Sequence, residues 1–293
     1  VSRGGNDGPS GVAVVDKEAG WTSHDVVAKS RGLLGTRKVG HSGTLDPDAT
    51  GVLVLGVGRA TRLLRFLTLL PKDYEAVIRF GSETTTLDAA GDVVATHEMG
   101  ELDPQAVSAA ARRLTGDILQ VPPMVSAVKV DGRRLHELAR AGEVVEREPR
   151  PVTVHRFDVE PTDDPLTWRA SVTCSSGTYV RVLAADLGRL LGGGAHLASL
   201  RRTAVGAFTL DDARPLERIE LLPIEEAARG LGRVEVDAAV ADAIRVGSVL
   251  DPDRLGVTGA GPWPVFGDDG TLLAFYERHP DGRAKPAVVL VAR

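Results

Sequence analysis

Hydrophobic and polar positions along the chain fall into short runs broken by glycine, proline and acidic turns. Gly11 to Val15 reads as a short strand. KDYEAVIRF, from Lys72 to Phe80, alternates with the period of two expected of a strand, and Val152 to Val159 and Thr167 to Cys174 repeat the pattern as a pair. Helical spacing predicts a helix over Val26 to Leu34, with Ser23 as its N-cap, and another over Ala60 to Leu69, where Arg59, Arg62 and Arg65 form one stripe. Asp103-Pro104 begins a helix that runs to Leu114, with proline in the first turn. SSGTYVRVLAADLGRLL turns into a further helix, and Leu210 to Arg229 mixes loop and helix.

The block 122–151 reads as an excursion from the main sheet, with a strand over Val125 to Val130 and a short helix over Leu135 to Ala141. From about Val234 the character changes: the Gly/Pro-rich GAGPWP and the late runs LLAFYE and AVVLVA predict a small β-rich module. The expected organisation is a disordered 1–10, a main domain over 11–230 with the insertion at about 122–151, and a C-terminal domain over 231–293.

Composition narrows the class. Hydrophobic residues make up 43% and charged residues 26% of 293, so a packed core is expected; aromatics are only 4%, so Val, Leu and Ala must fill most of it. The single cysteine, Cys174, rules out an internal disulfide and a cysteine-rich zinc site, and points to a reducing, cytoplasmic compartment. VSRGGNDGPS carries no apolar core of a secretory signal, and no run of about 18 apolar residues predicts a membrane span. The net charge of −5 is unusual for a nucleic-acid binder, yet the cations cluster: Arg37 and Lys38; Arg59, Arg62 and Arg65; Arg133 and Arg134; Arg201 and Arg202.

The densest chemistry lies in GHSGTLDPDATGVL, Gly40 to Leu53. A tight turn carrying Asp46 and Asp48 stands directly before an apolar run. Asp46-Pro47 suits the start of a turn, and Asp48 or Thr50 suits a helix cap. Asp46, Asp48 and Thr50 also fit the D-x-D-x-T nucleophile pattern of Mg²⁺-dependent phosphatases, but no apolar strand precedes them here.

Taken whole, GHSGTLDPDATGVLVLGVGRATRL resembles the catalytic motif of the TruB family, the bacterial tRNA pseudouridine-55 synthases. It meets every fixed position of G-H-[ST]-G-[TA]-L-D-P-x-A-[TS]-G-x-L. DKEAGWTSHDVV, KDYEAVIRFG, QVPPMVSAVKVDGRRLHELARAGEVVEREPRPV, CSSGTYVRVLAADLG and GAHLASLRR resemble further blocks of the family in its order, covering roughly 11–215. The departures are Glu18 for a usual proline, Glu83 and Thr85 for a basic and an acidic residue, and Val125 for a common tyrosine.

The resemblance implies an α+β fold: a mixed, mainly antiparallel sheet with flanking helices and an inserted thumb, plus a small C-terminal PUA-like domain. It implies isomerisation of the T-loop uridine of tRNA to pseudouridine, by a cytoplasmic monomer that uses no cofactor and no metal. Asp46 would be the nucleophile, Arg181 its bidentate cation, and Tyr74 the ring stacked on the uracil with a hydroxyl for proton movement. Tyr179 and Leu200 would line the base pocket, and His41 would fill the gap left by an everted base. Phosphate contacts would come from Arg59, Arg62, Lys129, Arg133, Arg134, Arg201 and Arg202, with Arg140 in the thumb. The competing reading is a non-catalytic RNA-binding or RNA-folding protein on the same scaffold.

Overall fold

The computed structural model describes residues 8–126, 129–130, 133–134 and 145–291, with the side chains of Lys129, Val130 and Arg134 outside that description. The expected disorder of 1–10 and the helix over Leu135 to Ala141 fall largely or wholly outside the described residues, as does Arg140.

The strands in chain order are β1 (Gly11–Lys17), β2 (Val39–His41), β3 (Thr50–Val57), β4 (Lys72–Phe80), β5 (Ser82–Thr84), β6 (Val93–Thr96), β7 (Gly116–Gln120), β8 (Lys129–Val130), β9 (Arg133–Arg134), β10 (Arg150–Pro161), β11 (Thr167–Cys174), β12 (Ala195–Val205) and β13 (Phe208–Thr209). The main sheet runs β1-β3-β12-β4-β11-β10-β7, with β2 on β3 and β13 on β12. Its pairs are antiparallel except β12 with β3, so the sheet is mixed and mainly antiparallel.

The apolar run that follows the aspartate turn is β3. Its residues from Gly51 onward are buried on both faces, as near-continuous apolar strands usually are. One face joins Val52 and Val54 to Phe66, Phe208 and Phe275; the other joins Leu53, Leu55 and Val57 to Val15 and Val26. β1 lies along one edge of β3. The other edge is divided, with Thr50 and Gly51 pairing with β12 and Leu55 to Val57 pairing with β2. The segment 42–49 emerges from that split, held at its base by Ser42 N donating to Val54 O at 3.0 Å. Gly51 must be glycine: its φ is +100°, and a β-carbon there would lie 2.1 Å from the Arg202 carbonyl oxygen.

Helix Ser23–Leu33 is capped by Thr22, not by Ser23 as expected. Thr22 Oγ1 accepts from Asp25 N at 3.1 Å and Asp25 Oδ2 accepts from Thr22 N at 2.9 Å, a reciprocal capping box. The stretch expected as one helix from Ala60 to Leu69 begins as a 3₁₀ turn, Gly58–Leu63, and becomes helical over Leu64–Leu69. Asp103 caps helix Pro104–Arg113.

The second sheet, β14 (Val234–Glu235), β15 (Trp263–Phe266), β16 (Leu272–Arg278) and β17 (Ala284–Val289), begins close to the compositional change near 230. It is not a separate body on a loose tether. Phe66 and Phe275 stack with centroids 4.6 Å apart, and Phe266, Leu272 and Phe275 share one core with Val12, Val54 and Phe208.

Candidate functional site

The Ser42–Ala49 segment is gripped from outside by the first motif block. Lys17 is 1% exposed and its Nζ donates to the carbonyls of Pro47, Trp21 and Glu18 at 2.8, 2.7 and 3.0 Å. Gly20 N also reaches Pro47 O at 3.0 Å. Ser23, freed from capping, accepts from Leu45 N at 2.8 Å and donates to Leu45 O at 3.2 Å. DKEAGWTSHD is therefore the bracket that holds GHSGTLDPD in place.

Held this way, Asp46 faces a cavity of about 400 Å³ lined also by His41, Tyr74, Tyr179, Arg181, Leu200 and Arg202. The six side chains expected to act on the base thus border one space. Leu200, Asp46 and Arg181 also line a second hollow of about 250 Å³ with Asp48 and Asp88.

Arg181 is the second residue of helix Val180–Leu190, whose buried side packs Leu183, Ala184 and Leu187 into the core beneath β4 and β11. The helix start is clamped by Gln120, which donates to Tyr179 O at 3.2 Å and accepts from Tyr179 N at 2.9 Å. Arg181 is 3% exposed, and its Nη2 stands 3.4 Å from Asp46 Oδ1. The expected bidentate pair is not formed. The guanidinium is divided: Nη2 donates to Val125 O at 2.6 Å, while Nη1 donates to Thr86 O at 3.3 Å and approaches Asp88 Oδ2 at 3.4 Å.

The charge on Asp46 reflects this sharing. Its side chain is 43% exposed toward the cavity, but the packed floor desolvates it and pushes its pKa above the ordinary carboxylate value. Arg181 and Lys17 oppose that rise, while Asp88 and Asp48 add to it. The neighbouring cations therefore offset the desolvation only in part.

Tyr74 sits opposite Arg202 on β12 and Val172 on β11. Burial raises its pKa, against the charge and a donated hydrogen bond of Arg202. His41 is neutral: burial, then the nearby charges of His24 and Arg202, lower its pKa to about 4. Its Nδ1 accepts from Gly43 N at 3.2 Å, which leaves the proton on Nε2, and its ring meets His24 edge-on at 5.4 Å.

The basic clusters divide differently from expectation. Arg59 Nη1 donates to Leu290 O at 3.0 Å and Arg62 Nη1 to Val289 O at 2.7 Å, and Arg65 pairs with Glu277. This stripe ties the helix to the C-terminal sheet. Arg202 is 1% exposed and bonded to Val52 O and Gly43 O, which keeps it from a surface phosphate. Arg201 forms a two-pronged pair with Asp16 at 2.8 and 3.1 Å. Arg133 is exposed on β9; Lys129 and Arg134 contribute backbone to the β8–β9 pair.

Sequence reasoning missed Asp88, Lys17, Lys72 and Gln120. Asp88 was within reach, since it keeps its place in the partly altered GSETTTLDAAG loop. That loop lies along β12, with Leu197 N donating to Leu87 O and Ala89 N to Leu197 O. The departure at Glu83 is accommodated by a 2.8 Å contact with His97. The departure at Val125 leaves a backbone carbonyl on Arg181, as above.

A family model described as TruB family pseudouridylate synthase (N terminal domain) matches residues 31–180, and one described as tRNA pseudouridylate synthase B C-terminal domain matches 181–233. The tRNA pseudouridine synthase B of Thermobifida fusca (strain YX) is 50% identical over 291 residues, covering 95% of this chain and 98% of its own. That of Nocardia farcinica (strain IFM 10152) is 50% identical over 292 residues, covering 97% and 94%. Among solved structures, a chain of a Cbf5-Nop10-Gar1 complex superposes with a TM-score of 0.71 at 25% identity, covering 96% of this chain and 84% of that one.

Proposed function

The chain belongs to the TruB family of pseudouridylate synthases, and from that premise we propose that it converts a uridine of tRNA, at position 55 in the T-loop, to pseudouridine. The observation that carries this reading is the meeting of Asp46, Arg181 and Tyr74 on one cavity from three distant parts of the chain.

The chemistry asks little of cofactors. The bond from uracil N1 to ribose C1′ breaks, the base turns, and C5 joins C1′, with no net oxidation and no hydrolysis. A carboxylate beside the sugar is the central requirement, and it must be ionised yet screened from bulk water. Asp46 suits this role because desolvation leaves the carboxylate more basic while Arg181 keeps the anion accessible. Tyr74 offers a flat ring for the everted base and a hydroxyl that remains protonated at neutral pH. Tyr179 and Leu200 would enclose the base. A uridine inside a folded loop must leave its stack, and uncharged His41 can fill the gap without the cost of burying a cation.

Phosphate contacts fall to exposed cations such as Arg133 and the thumb, and the C-terminal sheet is read as the PUA-like accessory. We read the protein as a cytoplasmic monomer; no described helix is long and apolar enough to cross a membrane. The deciding experiment incubates purified protein with unmodified tRNA transcript in EDTA and maps pseudouridine. The expected result is one new pseudouridine in the T-loop. No modification, or activity abolished by the chelator, would overturn the reading.

A further inference from the structure

Two cations lie side by side in the wall of the cavity. Lys72 on β4 and Arg202 on β12 are 5% and 1% exposed, and both line the space that Asp46 and Tyr74 face. A β-carbon at Gly43 would lie 3.8 Å from both Lys72 Cε and Arg202 Nη1. Among the described residues their hydrogen bonds go to neutral oxygens. Lys72 Nζ donates to Thr68 O and, at 2.6 Å, to Leu70 O. Arg202 Nε donates to Val52 O at 2.7 Å and Nη2 to Gly43 O at 3.1 Å.

Three titratable groups beside them are uncharged at neutral pH, while Lys17, itself lowered to about 8, feels Arg202, and the Asp73 carboxylate lies within reach of Cys174. Cys174 on β11 is pushed up to about 11 by burial, His41 on β2 is held at about 4, and Tyr74 is raised by burial. Lys72 itself is lowered to about 8, by burial and then by Arg202. Burying two like charges together is unfavourable unless an anion arrives. Asp46 is already shared with Arg181 on another side of the cavity.

The reaction supplies such an anion, on the pseudouridine-synthase reading above. When the N1–C1′ bond breaks, its electron pair stays on uracil. C1′ is taken up by an Asp46 oxygen, or C2′ gives a proton to a base. Either way uracil is an anion until C5 bonds to C1′, with Asp46 released on the first route or C2′ regaining its proton on the second; the C5 proton then leaves and N1 takes one up. We propose that Lys72 and Arg202 form a cationic wall that stabilises the detached uracil anion while it turns. Aimed charges in a water-poor site are strong stabilisers of developing charge.

The test follows single-turnover disappearance of the N1-linked target nucleotide in a T-arm stem-loop carrying uridine or 5-fluorouridine, a readout both share because the fluorinated base can detach and rejoin through C5 but has no C5 proton to lose. Fluorine withdraws charge, so the detached 5-fluorouracil anion depends less on the wall. Lys72→Met is expected to slow uridine by roughly tenfold or more and 5-fluorouridine by a clearly smaller factor, with RNA affinity retained. Lys72→Arg restores both. A merely structural lysine would lower both rates by the same factor, and that result, or no loss at all, overturns the proposal. A second measurement needs no destabilising variant. Wild-type activity on uridine should decline as pH rises through about 8, and Lys72→Arg should move that decline upward; coincident profiles would also overturn it. Wild-type protein that makes no pseudouridine would sink the parent reading together with this one, whereas an active wild type with equal factors would sink this one alone.

Discussion

Arg181 meets Asp46 and Asp88 through different amino groups, Nη2 to one and Nη1 to the other, each at 3.4 Å. One buried cation is thus divided between two carboxylates, and each lessens what the other receives. Asp88 raises the proton affinity of Asp46. On the proposed role the active form is ionised Asp46, so activity should be present above its pKa and lost as pH falls through it. Asp88→Asn should therefore move the acid limb of kcat/KM to lower pH, even as a looser Arg181 reduces the maximal rate. A limb that stays in place would show that Asp88 does not act on Asp46.

Asp46→Asn keeps the size of the side chain and removes its charge. Turnover should drop by at least about a thousandfold, in the range seen when a reacting group is removed, while filter binding of tRNA is largely preserved. Retention of more than a few per cent of the rate would exclude Asp46 as the nucleophile.

Tyr74→Phe separates the two roles proposed for this residue. The ring remains for stacking, and the hydroxyl, on the strand position opposite Arg202, is lost. A fall in kcat with KM retained is expected. Equal rates for Phe and Tyr would remove the proton role and leave stacking alone.

His41→Ala should harm activity on folded tRNA more than on a loosely structured stem-loop, because only the former keeps the target base stacked. Equal losses on the two substrates would count against a gap-filling ring. Since His41 is held near 4, its protonation should leave no inflection in the wild-type profile between pH 5 and 8.

The link between the two sheets rests on rings more than on charges. Phe275 is fully buried against Phe66, so Phe275→Ala should cost about 3–5 kcal/mol in denaturant unfolding. Arg65 and Glu277 are half exposed and about a third exposed, and Arg65→Ala should change stability by no more than about 1 kcal/mol. A Phe275→Ala protein with unchanged midpoint would mean that the shared core is not cohesive.

Much of the site was legible because its chemistry is local. The aspartate turn, the alternating strand of Tyr74 and the helix that carries Arg181 in its first turn are each written in a dozen contiguous residues, and local propensity agrees with the fold at all of them. What escaped was set by distant pairing. Nothing near Arg202 announces that it lies beside Gly51 and behind Tyr74, so its cluster read as surface. The Arg59, Arg62 and Arg65 stripe has the spacing of a phosphate-binding face, yet its partners are carbonyls and a carboxylate more than 200 residues later. Ser23 looked like a cap by type; Thr22 took the cap because Asp25 could answer it, leaving Ser23 to secure Leu45. Asp88 is different: it keeps its place in its loop and was overlooked beside two altered neighbours, Glu83 and Thr85.

The pairing of Thr50 and Gly51 with Arg201 and Arg202 also sets a schedule. The aspartate turn is synthesised early, but the strand that closes the gap beside it is made some 150 residues later, and contacts so far apart in sequence form late. A nascent chain released before β12 would carry Asp46 without its pocket. The pocket can therefore close only after Val205 has been made, with the C-terminal sheet still to follow.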